Sequence, residues 1–293
     1  MKVAVLGGSG FIGSHLCDLL SSKGHKVNIF DIKKSKYKKK NQKMYVGSIL
    51  DRKKLSLAIK GCDFVYHFAA LADMDFARTR ALESAKINII GTINALVTCK
   101  KHNVKRFIFA SSIYANTEEG GFYGSSKQAA ESYIERFYKT YGLNYTILRF
   151  GSIYGSRSGK NNGINMVINS GIKKKKLIYG GSKRAARKYI HVEDAVNACI
   201  KVIQKKYKNK YLTITGKHLE KIKNVMYILA KYLNISRDKI MYLNQKNVGH
   251  YDISPTTFVP RLGKHLKSKK EKNFKQSLKD LTEELKKNNT SIN

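Results

Sequence analysis

The chain has 293 residues, a hydrophobic content of 42% and a formal net charge of +37. It is long and apolar enough for one large α/β domain, or for a domain with a smaller lobe, but no apolar run is long enough to cross a membrane. The basic residues are spread over nearly every predicted loop and helix without a nucleic-acid-binding motif. We therefore expect a solvated basic surface, no specific nucleic-acid partner and no membrane partner.

The four cysteines are far apart in the sequence and lie in apolar contexts; they are Cys17, Cys62, Cys99 and Cys199. No pair has the spacing of metal ligands, and the amino terminus reads as a strand and not as a signal peptide. These features predict reduced core thiols, no metal site and a cytoplasmic protein.

The first thirteen residues carry the pattern of a phosphate-binding turn. The apolar run Val3–Leu6 is typical of a strand buried in a parallel sheet, and a helical segment follows the glycines. We expect Gly7 to form the tight turn, Gly10 to let the backbone approach a diphosphate, and Gly13 to let the helix pack closely on the strand.

A second apolar strand ends at Asp31, where a carboxylate can accept hydrogen bonds from the ribose hydroxyls of adenosine. In the basic loop that follows, Lys33 or Lys34 could contact a 2′-phosphate, which would favour NADP. Asp31 would repel that phosphate. The residues therefore predict dinucleotide binding, with NAD favoured over NADP.

A later strand ends in the sequence His67-Phe68-Ala69-Ala70. Ligands of open parallel sheets bind beyond the carboxyl ends of the strands, so these small residues are expected to line the cofactor groove. We interpret His67 as a packed core histidine, with catalytic base as the alternative.

Tyr123 and Lys127 form the candidate catalytic pair. If Tyr123 opens a helix, their side chains lie one turn apart on the same face. A lysine ammonium beside a phenol lowers the pKa of the phenol, which makes tyrosine a usable acid or base near neutral pH. Ser112, at the end of the preceding strand, can bond the same substrate oxygen.

Strands alternate with helices throughout, which predicts an α/β fold with a Rossmann-type, doubly wound parallel sheet and a smaller C-terminal α/β lobe for the substrate. We predict a nucleotide-binding domain at residues 1–150, to which residues 171–210 return. Residues 151–170 and 211–267 are expected to form the lobe, and residues 268–293 a basic tail.

Several motifs occur in a fixed order over roughly residues 1–215: GGSGFIG, Asp31, HFAA, Asn88 with Gly91-Thr92, Ser111-Ser112, YGSSK, LRFGSIYG and RKYIHVED. In these motifs the chain resembles an extended short-chain dehydrogenase/reductase of the NAD-dependent sugar-nucleotide epimerase/dehydratase family.

The resemblance implies roles for individual residues. Tyr123 would take a proton from a sugar hydroxyl while hydride passes to NAD. Lys127 would hold the nicotinamide ribose, and Ser112 the reacting oxygen. The expected cofactor contacts are Gly7, Gly10, Phe11, Ile12, Gly13, Asp31, Ile32, Ser48, Ile49, Phe68, Ala69, Ala70, Asn88, Tyr123 and Lys127.

On the substrate side the resemblance points to Ser112, Ser152 and Arg187. The guanidinium of Arg187 suits a diphosphate, although one more solvated cation in a basic stretch is the alternative. The family also implies a homodimer, formed through the helix after Tyr123 and the helix that contains Asn88.

Some residues depart from the family pattern. Ser48 stands where Asp is frequent, Ser152 where Asn is frequent, and Ser156 where Pro is frequent. Dehydratase relatives carry an Asp-Glu pair directly after the catalytic Ser or Thr, but this chain has Ile113 and Tyr114 there.

We therefore predict an epimerase that acts on a nucleotide-diphosphate sugar through a transient keto-sugar. A dehydratase, decarboxylase or keto-sugar reductase on the same scaffold is the alternative, with Asp73 or Asp75 as a candidate for the missing acid. A non-catalytic dinucleotide-binding regulator is the alternative from another class, but it leaves the joint presence of Ser112, Tyr123 and Lys127 unexplained.

Overall fold

A computed structural model describes residues 1–117, 119–244 and 252–253, together with Gln276, Lys279 and Thr282. One compact unit spans Met1–Phe258 and a second covers Val259–Asn293. The three described residues of the second unit are helical. The rest of the predicted basic tail lies outside the described residues.

The strands are, in chain order, β1 (Lys2–Leu6), β2 (Lys26–Asp31), β3 (Gln42–Val46), β4 (Phe64–His67), β5 (Arg106–Ser112), β6 (Tyr145–Phe150), β7 (Ser152–Tyr154), β8 (Leu177–Tyr179), β9 (Ala186–Arg187), β10 (Tyr189–His191), β11 (Lys210–Ile214), β12 (Glu220–Lys221) and β13 (Ile240–Tyr242). The α-helices are α1 (Phe11–Ser22), α2 (Arg52–Ile59), α3 (Met74–Arg78), α4 (Ala81–Ser84), α5 (Gly91–Lys101), α6 (Gly121–Tyr141), α7 (Gly163–Lys174), α8 (Val192–Lys201) and α9 (Ile222–Tyr232). A π-helical turn at Ala85–Ile90 joins α4 to α5, and short 3₁₀ turns lie at Ile113–Asn116, Lys205–Tyr207 and Arg237–Lys239.

The central sheet has seven strands in the order β11-β6-β5-β4-β1-β2-β3. Every pairing in it is parallel, as predicted. All carboxyl ends of its strands therefore meet at one edge. From the adjacent pair β1 and β4, the strands β2 and β3 continue on one side and β5, β6 and β11 on the other. A ligand groove is expected beyond this edge.

Alternation along each strand divides the core between the two faces of the sheet. Val3 and Val5 point to the face that α1 and α8 cover, whereas Ala4 and Leu6 point to the face that α2, α5 and α6 cover. Both faces are buried, which explains why these strands are continuous apolar runs in the sequence.

A separate, smaller hydrophobic cluster joins α7, β8 and α9. Val167, Leu177 and Met226 are buried at its centre. Val167 and Met226 lie in segments predicted as the smaller lobe, whereas Leu177 lies in the segment predicted to return to the sheet. The division of the chain into domains stays a prediction.

Two segments pack elsewhere than the predicted boundaries of the lobe imply. Residues 210–214 form β11, which pairs in parallel with β6 at the edge of the central sheet, although residues from 211 onward were assigned to the lobe. Leu212 and Ile214 pack on the same core face as α8, so burial of these apolar side chains brings the strand back to the sheet. Residues 171–179 were predicted to return to the nucleotide-binding domain, but they pack in the smaller cluster and not on the sheet.

The four cysteines are free and buried, as expected of core thiols. Burial raises the pKa of Cys62 to about 11 and raises the pKa values of the other three thiols as well. No helix within the described residues combines the length and apolar character that a bilayer span requires.

Candidate active site

The glycine turn has a backbone that larger residues could not adopt. Gly7 has a φ of +83° and donates from its N–H to Phe30 O at 2.8 Å. A Cβ on Gly7 would lie 2.5 Å from the backbone nitrogen of Ala69, and a Cβ on Gly13 would overlap Gly7 O. The turn thus packs directly against the end of β4, and the roles predicted for Gly7 and Gly13 match this geometry.

The amino terminus of α1 fits a diphosphate. Its N-cap is Gly10, so no side chain caps the first-turn N–H groups. A Cβ on Gly10 would have only Gly7 O nearby, at 3.3 Å, so the approach to the backbone of Phe11 and Ile12 is open. Uncapped N–H groups and the helix dipole together favour an anion at this position.

Asp31 ends β2 beside this turn. One carboxylate oxygen accepts from Ser9 N at 3.0 Å and the other from Lys33 N at 3.2 Å. These bonds orient the carboxylate, and each oxygen keeps a lone pair for a ribose hydroxyl. The next residue, Ile32, is exposed.

The remaining predicted groove residues lie at the same edge. Ala69 N donates to Leu6 O at 2.9 Å, which places the Ala69-Ala70 turn beside the end of β1. Phe68 lies with its ring centroid 6.2 Å from that of Tyr66 and 6.0 Å from that of Phe150.

Beyond β3, Ser48 and Ile49 differ in exposure. Ser48 is half-buried, and its hydroxyl accepts from Leu50 N at 3.2 Å. Ile49 is buried directly beneath Gly91, where a Cβ would collide with the Ile49 side chain. Ile49 therefore meets α5 through its side chain.

Asn88 lies in the π-helical turn and is 2% exposed. Its side-chain oxygen accepts from Leu71 N at 2.7 Å, while its amide nitrogen donates to Leu71 O at 3.1 Å and to Ser126 Oγ at 2.9 Å. The amide is thus occupied in holding the loop after β4 against α6. We infer that Asn88 shapes the groove through this loop.

The three predicted catalytic residues come together at the carboxyl end of β5. Ser112 ends the strand, and its hydroxyl faces the phenol of Tyr123 in the first turn of α6, where it acts to lower the pKa of that phenol. Lys127 lies one turn later with its Nζ 5.7 Å from the centre of the Tyr123 ring. That ammonium donates to Ala110 O at 2.8 Å and faces the Phe109 ring at 4.7 Å.

The pKa of Tyr123 is raised, and not lowered as the neighbouring Lys127 led us to expect. Burial raises the pKa of Tyr123 to about 12, and the hydrogen bond with Ser112 only partly opposes this change. Burial lowers the pKa of Lys127 to about 7, offset in part by the negative charge of Glu131. Burial is the largest cause of both changes, so desolvation of the charged form dominates the pKa of each residue.

His67 is a packed histidine, as interpreted. It is fully buried between Phe107 and Phe109, and its Nε2–H donates to Thr92 Oγ1 at 3.0 Å. Burial, aided by the charge of Lys127, lowers the pKa of His67 to about 3. A neutral imidazole with no route to solvent does not suit a base that contacts substrate.

The sequence interpretation missed a buried ion pair behind the catalytic residues. Glu131 Oε1 accepts from Ser111 Oγ at 2.5 Å and from Arg149 Nε at 3.0 Å, while Oε2 accepts from Arg149 Nη2 at 2.6 Å. Arg149 faces the Tyr211 ring at 4.5 Å. Two features of the sequence could have indicated this ion pair. One is the acid four residues after Lys127, and the other is the arginine near the end of the next strand.

Residues 155–162, which we call the strap, follow β7 and bond to α1. The Nε2–H of His15 donates to Ser156 O at 2.9 Å. Arg157 pairs with Asp18 at 2.8 Å and faces the Tyr37 ring at 4.2 Å. This end of the strap therefore lies on the face of the sheet that α1 covers.

The other end of the strap reaches the loop after β4. Asn161 donates to Asp73 at 2.5 Å, and Asp73 also caps α3 by accepting from Phe76 N at 3.0 Å. Helix α3 packs against α6, which covers the opposite face from α1. The strap therefore crosses the carboxyl edge of the sheet, where the glycine turn lies.

The two predicted substrate residues outside the catalytic group occupy the short strands beyond β6. Ser152 opens β7 and pairs in register with Tyr189 of β10. Arg187 lies on β9, half-buried, and its Nη1 donates to Asp252 O at 3.1 Å. Their contacts with substrate stay predictions.

Comparison with known proteins gives consistent matches over most of the chain. Residues 3–214 match the sequence profile of the NAD dependent epimerase/dehydratase family. The chain is 30% identical over 237 residues to a putative UDP-glucose 4-epimerase of Methanocaldococcus jannaschii, an alignment that covers 73% of this chain and 77% of that protein. It is 29% identical over 241 residues to the dTDP-D-glucose 4,6-dehydratase of Dictyostelium discoideum, which covers 70% of this chain but only 56% of that relative's length.

Among solved structures, the chain is similar to the UDP-glucose 4-epimerase of Thermotoga maritima with UDP-glucose. The TM-score is 0.78 at 26% identity, over 88% of this chain and 90% of that one. The similarity extends beyond the central sheet.

Proposed function

Because this chain belongs to the NAD-dependent epimerase/dehydratase family, we propose that it is an NAD-dependent epimerase of a nucleotide-diphosphate sugar that works through a transient keto-sugar. Homologues in the family are enzymes of epimerase and dehydratase type. The finer assignment, epimerase and not dehydratase, decarboxylase or reductase, is the part that experiments must decide.

The observation that carries the proposal is the meeting of Ser112, Tyr123 and Lys127 at the carboxyl end of β5, on the same edge of the sheet as the glycine turn. The Ser112 hydroxyl acts on the Tyr123 phenol, and Lys127 lies one helical turn away. Two hydroxyls that converge on one point can hold a substrate oxygen and move its proton. Oxidation of an alcohol needs such a group together with a hydride acceptor, and bound NAD supplies that acceptor.

In this arrangement Ser112 holds the sugar hydroxyl that reacts, and Tyr123 takes the proton from it after the phenol has lost its own proton to solvent, so Tyr123 acts as the phenolate in this step. Tyr123 returns a proton to the same oxygen when the keto group is reduced. Lys127, fixed by its bond to Ala110 O, orients the cofactor ribose. Asp31 and the amino terminus of α1 hold the adenosine ribose and the diphosphate.

Two features favour epimerisation over dehydration. The 3₁₀ turn directly after Ser112 begins with a buried Ile113, followed by Tyr114, so no carboxylate stands at the positions where the dehydratase pattern has its acid pair. Asp73, a candidate replacement, is committed to capping α3 and to Asn161. The side chain of Asp75, the other candidate, lies outside what the structure describes.

The first experiment is to purify the protein, denature it and identify the released small molecules by mass spectrometry. Recovery of NAD with a nucleotide sugar supports an internal redox cycle and identifies the substrate class. NADP, or no dinucleotide, favours a reductase with a dissociable cofactor, which would consume NAD(P)H stoichiometrically. Failure to bind any added dinucleotide contradicts the proposal.

We predict that Tyr123→Phe lowers turnover by at least about 100-fold, because it removes the acid-base group. The affinity for NAD should stay within a few-fold of the wild type, measured by calorimetry. Full activity in this variant would remove Tyr123 from the mechanism.

We also propose a homodimer in the cytoplasm. Tyr133 and Tyr141 on α6 are about half exposed, and Ile90 at the end of the π-helical turn is similarly exposed. Exposed aromatic and apolar side chains on these two neighbouring segments are suited to a subunit interface. Light scattering at micromolar concentration tests this, and a monomer would contradict it.

A further inference from the structure

Helix α6 carries a further polar side chain, the buried Glu131, on the face that holds Tyr123 and Lys127. Glu131 follows Lys127 by four residues, so the two side chains are neighbours on the helix. Glu131 is 4% exposed and Lys127 is 2% exposed. A buried carboxylate one turn from a buried ammonium acts on that ammonium with little screening by solvent.

The bonds of Glu131 link the three elements that build the catalytic centre. Ser111, which binds Glu131, immediately precedes Ser112 on β5. Arg149, which binds both oxygens of Glu131, lies on β6 beside Ser111 in register. The carboxylate therefore joins α6, which carries Tyr123 and Lys127, to the end of the strand that carries Ser112.

The charged and titratable groups around Lys127 are few in the described part of the chain. His67 faces it from β4 and is neutral, because burial holds the pKa of His67 at about 3. Tyr123 faces it from α6 and is a neutral phenol. Arg149 on β6 is paired with Glu131. Glu131 is thus the negative charge that acts on Lys127.

We propose that Glu131 is a positioning residue for catalysis: its carboxylate, held by Ser111 and Arg149, fixes α6 on β5 and β6 and keeps Lys127 cationic beside Tyr123. The inference rests on the function proposed above, because it assigns Lys127 to the cofactor ribose. A cationic Lys127 can donate hydrogen bonds to that ribose, whereas the neutral amine is a weaker donor.

The test is the pH dependence of NAD affinity, measured by calorimetry on the full chain from pH 5.5 to 9. Burial lowers the pKa of Lys127 to about 7, so wild-type affinity should fall as the pH rises through this value. Glu131→Gln removes the negative charge but keeps the shape of the side chain. We expect the midpoint of the fall to move down by about one pH unit.

Two variants on the same elements serve as controls. Glu135→Gln removes the next carboxylate along α6, which contacts Tyr211 instead, and should leave the midpoint unchanged. Lys127→Met should remove the pH dependence in this range. Glu131→Asp, which keeps the charge, should restore most of the wild-type midpoint.

Glu131→Gln leaves the half-buried guanidinium of Arg149 without its carboxylate partner and is expected to lower stability. The double variant Glu131→Gln/Arg149→Met removes both charges together, so it avoids an unpaired buried charge. It should fold and show a lowered midpoint as well.

The outcomes separate this inference from the proposed function. If NAD binds with a midpoint that the Glu131 variants leave in place, or that survives Lys127→Met, the role of Glu131 is overturned while NAD-dependent function stands. If the wild-type chain binds no NAD at any pH, the proposed function fails and this inference fails with it.

Discussion

His67 and Lys127 are two titratable residues that the fold buries side by side. The electrostatic effect of Lys127 on His67 and the bond from Lys127 to Ala110 O show that the two side chains belong to one desolvated region. Burial disfavours the charged form of each. Because the chain has a lysine at this position, we infer that the function of Lys127 outweighs the stability lost by burying it.

We predict that His67 makes the protein sensitive to mild acid. Its pKa is lowered from 6.5 to about 3, so between these values the unfolded chain binds a proton that the folded protein does not. His67 therefore leaves the free energy of unfolding unchanged above pH 6.5. As the pH falls from 6.5 towards 3, it lowers that free energy by up to about 1.4 kcal/mol per pH unit.

His67→Gln keeps a donor for Thr92 but takes up no proton. The fall in the free energy of unfolding between pH 6.5 and 4.5, measured with urea, should therefore be about 2 kcal/mol smaller in His67→Gln than in the wild type. His218→Gln, which changes an exposed histidine, should retain the wild-type fall. Equal falls in the two variants would show that His67 is not responsible.

The residue scale also marks a limit of the sequence interpretation. The spacing of Tyr123 and Lys127 correctly predicted that they share a helix face, because helical periodicity is a local property. It did not predict the pKa values of the two residues, since desolvation depends on tertiary contacts such as those of Lys127 with Phe109 and Ala110. Motifs locate chemical groups, but their pKa values depend on tertiary burial.

Single elements were predicted well where their pattern is strong. The strand, glycine turn and helix at residues 2–22 formed as expected. The π-helical turn at Ala85–Ile90 was not expected, because the sequence there reads as a loop that runs into a helix. Its cause is tertiary: the buried amide of Asn88 bonds to Leu71 and Ser126, on two other elements.

We predict different effects on stability for two glycine substitutions at the start of the first helix. Gly13→Ala places a methyl group against Gly7 O and the Cα of Gly8, so α1 must shift away from β1. Overpacking of this kind costs about 1–3 kcal/mol, and NAD binding should be lost with the turn geometry.

Gly10→Ala is the matched control, because its φ of −79° is open to alanine and its nearest contact is at 3.3 Å. Its thermal unfolding midpoint should stay close to the wild type, while NAD affinity falls because the methyl group obstructs the phosphates. A Gly13→Ala variant as stable as Gly10→Ala would contradict the packing argument.

On the scale of the whole molecule, alternation of strands and helices was enough to predict the layered parallel sheet. It did not predict the order of the strands, nor that β11 returns to the sheet. The five residues of β11 lie beyond several short elements, and a strand of that length carries no signal for its partner. Its pairing with β6 depends on a register that only the assembled core specifies.

The strap has a consequence for kinetics. A dinucleotide that lies along the carboxyl edge of the sheet would sit beneath residues 155–162, and these are bonded on both sides of that edge. Escape of the cofactor then requires these anchors to break, so its residence time exceeds what groove contacts alone would give.

We therefore predict that Asn161→Ala and Arg157→Gln each shorten the residence time of bound NAD by about 3- to 10-fold, since each removes a hydrogen bond worth about 1 kcal/mol. The measurement is exchange of bound NAD against an excess of labelled NAD. Arg184→Gln, at an exposed arginine outside the strap, is the control. Unchanged exchange in both strap variants would show that the cofactor leaves by another route. Faster exchange would show that the strap, which leads to the predicted substrate residues, also controls the dissociation rate of the cofactor. Slow dissociation benefits an enzyme that regenerates its own NAD in every cycle.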